Sequence, residues 1–288
     1  MYDVVIIGKG PAGISASLYT SRSGLSTLII GEESTLSKSG KIDNYYGFEQ
    51  GISGSELLRG GEMQAKKFNT EIVEDEVIAL EYDFEGKFTI KTKHDSFNSR
   101  AVLLASGSQR KRLPIKNVSK FEGKGVHYCT TCDGYFYRDK KVGMLGYNEY
   151  ALNELDEMKH FTGNITVLTN GNEPVVDFGE VKVNTKKIKS FEGEKYLQKV
   201  VYDDDTEEAY DGIFAAYGSA SSVDFAKKLG IPISEGIIEV DKDQKTNLEG
   251  LYAAGDCASK IKQVSVAVGQ GAVAGLKISE FIRNLRRE

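Results

Sequence analysis

The amino-acid sequence predicts an α/β protein built on two βαβ units. Three observations carry this. An apolar strand, a glycine-rich turn and a small-residue helix follow one another over residues 2–23. An apolar strand, a glycine turn and a helix follow one another again over residues 141–160. A late apolar strand then ends in Gly255-Asp256, ahead of a closing helix. The repeat is one of architecture and not of close sequence, and 288 residues suffice for two domains that each bury a core.

Taken in order, Tyr2–Ile7 is a short continuous apolar run ending in glycine, the pattern of a strand buried on both faces. Gly8-Lys9-Gly10-Pro11-Ala12-Gly13 follows, then a helix over 14–23 that Gly24 ends, and a second strand over 26–30. A helix is expected between residues 55 and 68. Short alternating segments at 71–80, 87–93 and 101–105 suggest an antiparallel layer attached to the parallel sheet. A strand at 141–145, a helix over 149–160 and a strand at 165–168 form the second unit. Segments 197–203, 212–216 and 236–240 read as its remaining strands. The strand at 250–256 and a helix over 265–283 close the chain.

Composition narrows the function. Net charge is −5 and the pI is near 5.5, which gives no support for nucleic-acid binding. No apolar run approaches a membrane span, and the chain enters a strand at once, which leaves no room for a signal peptide and makes a cytoplasmic location the expectation. Local basic clusters, Arg110-Lys111-Arg112 with Lys116, Lys120 and Lys124, and Arg283 with Arg286 and Arg287, are either solvated surface or a docking patch for an acidic protein.

Gly8, Gly10 and Gly13 fit G-x-G-x-x-G between a strand and a helix. The spacing supplies a tight turn, close backbone approach to a pyrophosphate, and close helix packing. The N-terminus of the helix that follows presents free N–H groups and its positive end to the phosphates. Gly31 occupies the end of the second strand, so Glu32 or Glu33 is the candidate partner for a ribose, unless both are ordinary surface glutamates.

Three cysteines are too few for an extracellular disulfide scaffold, and a C-x-x-C pair in a reducing compartment is redox-active or metal-binding. Cys129-Thr130-Thr131-Cys132-Asp133-Gly134 is such a pair. A zinc set of His127, Cys129, Cys132 and Cys257 lacks the second paired ligand motif of a structural site, so no metal is expected. Cys257 reads as a small buried residue. His127 is either a helper of the thiols or a strand-edge histidine.

Gly8 to Gly13, Ala105-Ser106-Gly107, the run from Cys129 to Tyr135, and Ala254-Gly255-Asp256 occur in one order. So arranged, they resemble the low-molecular-weight thioredoxin reductases over essentially the whole chain. The resemblance implies two Rossmann-like three-layer domains of the FAD/NAD(P)-binding type, the second inserted into the first. It places an FAD-binding domain at 1–112 and 244–288 and a redox domain at 113–243, with linkers near 113–120 and 241–246. FAD would be held by Gly8, Gly10, Pro11, Ala12 and Gly13, by Glu32, by Ala105 and Gly107, and by Gly255 and Asp256. Gln263 and Val264 would lie at the pyrimidine edge of the flavin, at the start of the last helix. Cys132 would exchange electrons with the flavin, Cys129 would attack the disulfide of thioredoxin, and Asp133 would serve the protonation steps. A homodimer is implied as well.

Members that use NADPH carry a second G-x-G-x-x-A and a histidine-arginine-arginine run for the 2′-phosphate. Here the corresponding segment is Gly146-Tyr147-Asn148-Glu149-Tyr150-Ala151, and the next strand ends Leu168-Thr169-Asn170-Gly171-Asn172. Asn148 fills the place of the second glycine, Glu149 adds negative charge, and no arginine follows. Each lost arginine–phosphate contact is worth roughly 1.5–3 kcal/mol. The chain therefore resembles the ferredoxin-dependent flavin thioredoxin reductases, with ferredoxin as electron donor and Arg110, Lys111, Arg112, Lys260 and Lys262 as candidate docking residues. The alternatives are an NADPH-dependent reductase with a degenerate loop, and a non-catalytic flavin redox sensor.

Overall fold

The computed structural model describes residues 1–83, 85–107, 113 and 115–287. The chain divides into two compact units, Met1–Gln109 with Ser221–Glu288, and Arg110–Ala220. In chain order the first unit holds β1 (Tyr2–Ile7), α1 (Pro11–Arg22), β2 (Thr27–Ile30), a ribbon of β3 (Lys41–Ile42) and β4 (Ile52–Ser53), α2 (Gly54–Lys67), β5 (Glu71–Val73), β6 (Val77–Tyr82), β7 (Phe88–Thr92) and β8 (Ser96–Leu104). The second holds α3 (Val118–Phe121), β9 (Val126–His127), α4 (Thr130–Asp133), β10 (Val142–Leu145), α5 (Glu149–Lys159), β11 (Ile165–Leu168), β12 (Lys182–Asn184), β13 (Ile188–Glu192), β14 (Lys199–Tyr202), β15 (Glu207–Ala209) and β16 (Gly212–Ala215). The chain returns to the first unit through α6 (Ser222–Lys228), β17 (Ile233–Ser234), β18 (Ile237–Ile238), β19 (Leu251–Ala253) and α7 (Val264–Leu285).

Both units follow one plan. In the first, β5, β2, β1, β8 and β19 lie side by side in parallel, and the early half of β8 pairs antiparallel with β7, which pairs with β6. In the second, β12, β11, β10, β16 and β9 are parallel, beside a separate antiparallel sheet of β13, β14 and β15. Each parallel sheet reverses its strand order beside β1 or β10, which is where an open α/β sheet binds a nucleotide.

The structure shifts several expected boundaries. The 71–80 segment is two strands, because Asp75 interrupts it: its carboxylate accepts the backbone N–H groups of Glu76 at 2.7 Å and His94 at 3.4 Å. Helix α1 starts three residues earlier than expected, since Pro11 needs no N–H at the first helical position. The return crossover falls at Ala220–Ser221 and not near residue 244. There the hydroxyls of Ser106 and Ser222 meet at 2.7 Å, and each accepts the other residue's backbone N–H. That reciprocal clamp binds α6 to the first unit, so 236–240, expected in the second unit, belongs to the first. The 241–246 segment is a turn of that same unit, closed by the Asp241 carboxylate on the N–H groups of Asp243 and Lys245 at 2.9 Å each.

The core of the first unit lies where α1 meets α7. Buried Ala12, Ala16, Ala267 and Ala274 line the seam with Ile6, Ile278 and Ile282. A Cβ on Gly271 would stand 2.1 Å from the Ala12 carbonyl oxygen, and one on Gly275 2.5 Å from that of Ala16. The Ser15 hydroxyl donates across the seam to the Val268 carbonyl at 2.8 Å.

Substituting Gly271→Val is expected to cost more than about 2 kcal/mol by forcing backbone apart, read as a lowered urea midpoint. Gly60→Ala is the control: nothing stands within 4 Å of its added Cβ in α2, and it should gain about 0.5–1 kcal/mol.

Candidate active site

The first half of the site is the loop between β1 and α1. Gly8 has φ 117°, and a Cβ there would lie 2.3 Å from the Ala105 carbonyl oxygen. A Cβ on Gly13 would lie 2.0 Å from the Gly8 carbonyl. Backbone packing therefore demands both glycines. Gly10 differs: its φ is −81°, and the nearest atom to an added Cβ is the Ser34 hydroxyl at 3.6 Å. Nothing in the protein requires glycine there, so the open space in front of it suits a close-lying ligand. Helix α1 has no side-chain cap and no acidic residue in its first turn, so the N–H groups behind Pro11 remain available to an anion.

The neighbouring predicted residues sit around this loop. The Ala105 N–H donates to the Ile7 carbonyl at 2.8 Å, and Gly107 has φ 82°. Glu32 follows β2, forms an ion pair with Lys93 at 3.4 Å, and lines a cavity of about 440 Å³ with Glu33, Glu74 and Asp75.

The second half comes from the far end of the chain. Strand β19 runs beside β8, and two residues past its end stands Gly255, whose φ is 80° and whose N–H donates to the Gln270 side-chain oxygen at 2.9 Å. A Cβ on Gly255 would approach that of Ala12 to 3.0 Å, so this turn adjoins the first loop. Asp256 is half-buried, and burial pushes its carboxyl up from the ordinary value against the opposing charge of Lys262. Gln263 is the N-cap of α7 and Val264 its first residue; no side chain caps that helix start, and the Asn44 amide donates to Gln263 Oε1 at 3.0 Å. Cys257 is a buried free thiol within 3.3 Å of the Leu104 and Ala254 carbonyl oxygens, and burial pushes its thiol up to about 12. It is a packed residue with no partner for disulfide chemistry.

The second unit carries the sulfur pair. Cys129 and Cys132 form a disulfide with Cα atoms 5.3 Å apart. Cys129 is 5% exposed, whereas Cys132 is exposed. Cys129 precedes α4, and its sulfur receives the Cys132 N–H at 3.1 Å, a contact that favours a thiolate on reduction. The Thr130 N–H donates to the carboxylate of buried Glu154 at 3.4 Å, which ties α4 to α5. Gly134 is needed because an added Cβ would strike the Phe161 ring at 2.6 Å. Asp133 Oδ2 lies 2.9 Å from His127 Nδ1, and His127 ends β9, the edge strand of its sheet. Glu154 was not legible as a site residue at all, since only the fold brings it under the dithiol turn. Among the described residues no three His, Cys, Asp or Glu side chains converge as metal ligands.

Where the second unit reverses strand order, between β10 and β16, side chains bridge the crevice. Asn148 accepts the Ala151 N–H at 3.3 Å and donates to the Gly218 carbonyl at 2.9 Å. Tyr147 meets Tyr217 edge to face with ring centroids 5.5 Å apart. The Asn172 amide donates to the Tyr217 hydroxyl at 2.7 Å, and the Val175 N–H to the Tyr147 carbonyl at 2.9 Å. The loops after β10, β11 and β16 are thus joined by their own side chains and backbone.

An anion-ready glycine loop joined to a second glycine turn, with a C-x-x-C disulfide in an inserted unit, defines a flavin-linked disulfide reductase of the α/β class. The chain belongs to the pyridine nucleotide-disulphide oxidoreductase family, whose model matches residues 2–155 and 176–271. It is 30% identical to a thioredoxin reductase of Aquifex aeolicus (strain VF5), with 100% of this chain and 95% of that protein covered. The atypical thioredoxin reductase TRi from Desulfovibrio vulgaris Hildenborough superposes with a TM-score of 0.93 at 38% identity, covering 99% of each chain. A ferredoxin-flavin thioredoxin reductase from Clostridium acetobutylicum superposes with a TM-score of 0.68 at 30% identity, covering 100% of this chain and 99% of that one. The protein is a flavoprotein disulfide reductase of the thioredoxin reductase type, and FAD is its cofactor.

Gly10→Ala is expected to fold with stability within about 1 kcal/mol of the parent while FAD content falls by about tenfold or more, read from flavin absorbance per protein. In the oxidised protein, of the three cysteines, only Cys257 should titrate with a thiol reagent, and only after denaturation.

Proposed function

We propose that this protein carries electrons from reduced ferredoxin, through FAD and the Cys129–Cys132 pair, to the disulfide of thioredoxin. The observation that carries the choice of donor is the crevice between β10 and β16, bridged by Asn148 and Gly218 at 2.9 Å. A dinucleotide pyrophosphate must approach the backbone at that turn, and here a side chain holds the place. The residues at the end of β11 bring no cation to a 2′-phosphate: Asn172 is engaged with the Tyr217 hydroxyl.

Bound FAD accepts electrons singly and releases them in pairs, which suits a one-electron donor and a two-electron disulfide. The residues proposed to hold it are Gly8, Gly10, Pro11, Ala12 and Gly13, with Glu32, Ala105, Gly107, Gly255, Asp256, Gln263 and Val264. Cys129 is assigned the attack on thioredoxin, because its sulfur receives the Cys132 N–H; buried as it is, it must first be uncovered. Cys132 is assigned the exchange with the flavin and Asp133 the proton transfers. For ferredoxin docking, Lys262 is exposed and Lys260 is paired with Glu235 at 2.6 Å, whereas Arg110, Lys111 and Arg112 lie outside the described residues. A homodimer in the cytoplasm, where a dithiol pair can cycle, completes the proposal.

Stopped-flow absorbance tests it. Reduced ferredoxin should bleach the flavin and support thioredoxin reduction, and neither NADPH nor NADH should do so; rapid bleaching by NADPH would overturn the choice of donor. Cys129→Ser and Cys132→Ser should each abolish thioredoxin reduction while ferredoxin still bleaches the flavin. Lys262→Glu should slow the ferredoxin reaction several-fold at low salt and less at high salt.

A further inference from the structure

A polar side-chain chain runs from Asp133, the residue after Cys132, into the sheet of the second unit. His127, the last residue of β9, places Nδ1 2.9 Å from Asp133 Oδ2 and Nε2 2.8 Å from the Tyr137 hydroxyl. The imidazole stacks on the Phe214 ring at 5.3 Å and meets the Tyr137 ring edge-on at 5.1 Å. The His127 side chain is 11% exposed and that of Asp133 36%, so the pair is shielded on the imidazole side and open on the carboxylate side. A carboxylate can only accept, so Nδ1 carries the hydrogen, and Nε2 shares a hydrogen bond with the Tyr137 hydroxyl. Burial first, then the charges of Asp133 and Asp211, raise the Tyr137 phenol above its ordinary value, so it remains a donor. Lys140 stands 5.3 Å over the Tyr137 ring as the nearby cation.

We propose that His127 is a positioning residue for Asp133, and that Tyr137 fixes the imidazole in turn. This rests on Cys129–Cys132 being the working disulfide. When that bond takes up two electrons from the flavin, the S–S bond breaks and one proton must reach a sulfur to leave one thiol and one thiolate. That proton leaves His127 Nδ1 and passes through the Asp133 carboxylate to the sulfur; the imidazole is reprotonated from solvent, so Asp133 ends the step as the carboxylate it began. The arrangement also restrains the charge of Asp133 beside the thiols: an unpaired carboxylate would hold them protonated, and a hydrogen-bonded one does so less.

The test uses holoprotein reduced chemically and freed of reductant, so its outcome is independent of ferredoxin and thioredoxin. Alkylation of Cys129 and Cys132 by iodoacetamide is followed by mass spectrometry across pH. His127→Phe keeps an aromatic ring against Phe214 and should slow alkylation near pH 7 by about threefold, a profile displaced by half a pH unit. His127→Asn, whose amide can donate to Asp133, should restore most of the rate. Tyr137→Phe should shift the profile in the same direction by less. In an Asp133→Asn background His127→Phe should have no effect. A His127→Phe profile that superimposes on the parent, or an equal shift without the Asp133 carboxylate, would overturn the proposal. Flavin absorbance and thermal unfolding verify the fold of each variant, and Tyr137→Phe, with one hydroxyl removed, carries the test if the larger ring disturbs packing.

Discussion

The backbone-to-backbone approach of α1 and α7 is the constraint on which the flavin-binding unit depends. Glycine and alanine at Ala12, Ala16, Gly271 and Gly275 remove the side chains that would hold the helices apart. The start of α1, at Ala12, packs against Gly271, about two turns into α7, so the two ends of the chain are held side by side in one unit. A larger residue in the seam would act on the site without touching any ligand.

The two units share a topology and have diverged at the equivalent turn. At Gly10 the space in front of the backbone is open, whereas at Asn148 the side chain bonds both its own helix and the loop after β16. The same framework therefore presents an open crevice in one unit and a bridged one in the other. The Asn148 and Asn172 amides are both hydrogen-bonded within that crevice, to the Gly218 carbonyl and the Tyr217 hydroxyl.

Much of this was legible from the residues alone. The parallel strands are continuous apolar runs, and the glycine spacing at Gly8 to Gly13 marks its own context. The C-x-x-C pair carried its chemistry openly. What escaped were contacts made by tertiary proximity. The Ser106–Ser222 clamp joins residues 116 apart and moves the unit boundary. Glu154 reaches Thr130 from another helix. His127 is the strand-edge residue the sequence suggested, but a sequence gives no sign that a short turn folds Asp133 back onto it. The break of the 71–80 segment at Asp75 shows the same limit: a side chain that bonds backbone N–H groups stops a strand that alternation would continue.

The serine clamp has a consequence for how such a chain is assembled. Its two residues flank the whole inserted segment, yet their hydroxyls touch. The host lobe is therefore nearly continuous in space although interrupted in sequence, and a joint of a few residues would bridge the gap. An insert whose entry and exit are neighbours can be gained, lost or exchanged as one cassette without reopening the surrounding sheet. The adjacency of those two hydroxyls leaves the host lobe's two chain ends side by side where the insert begins and ends.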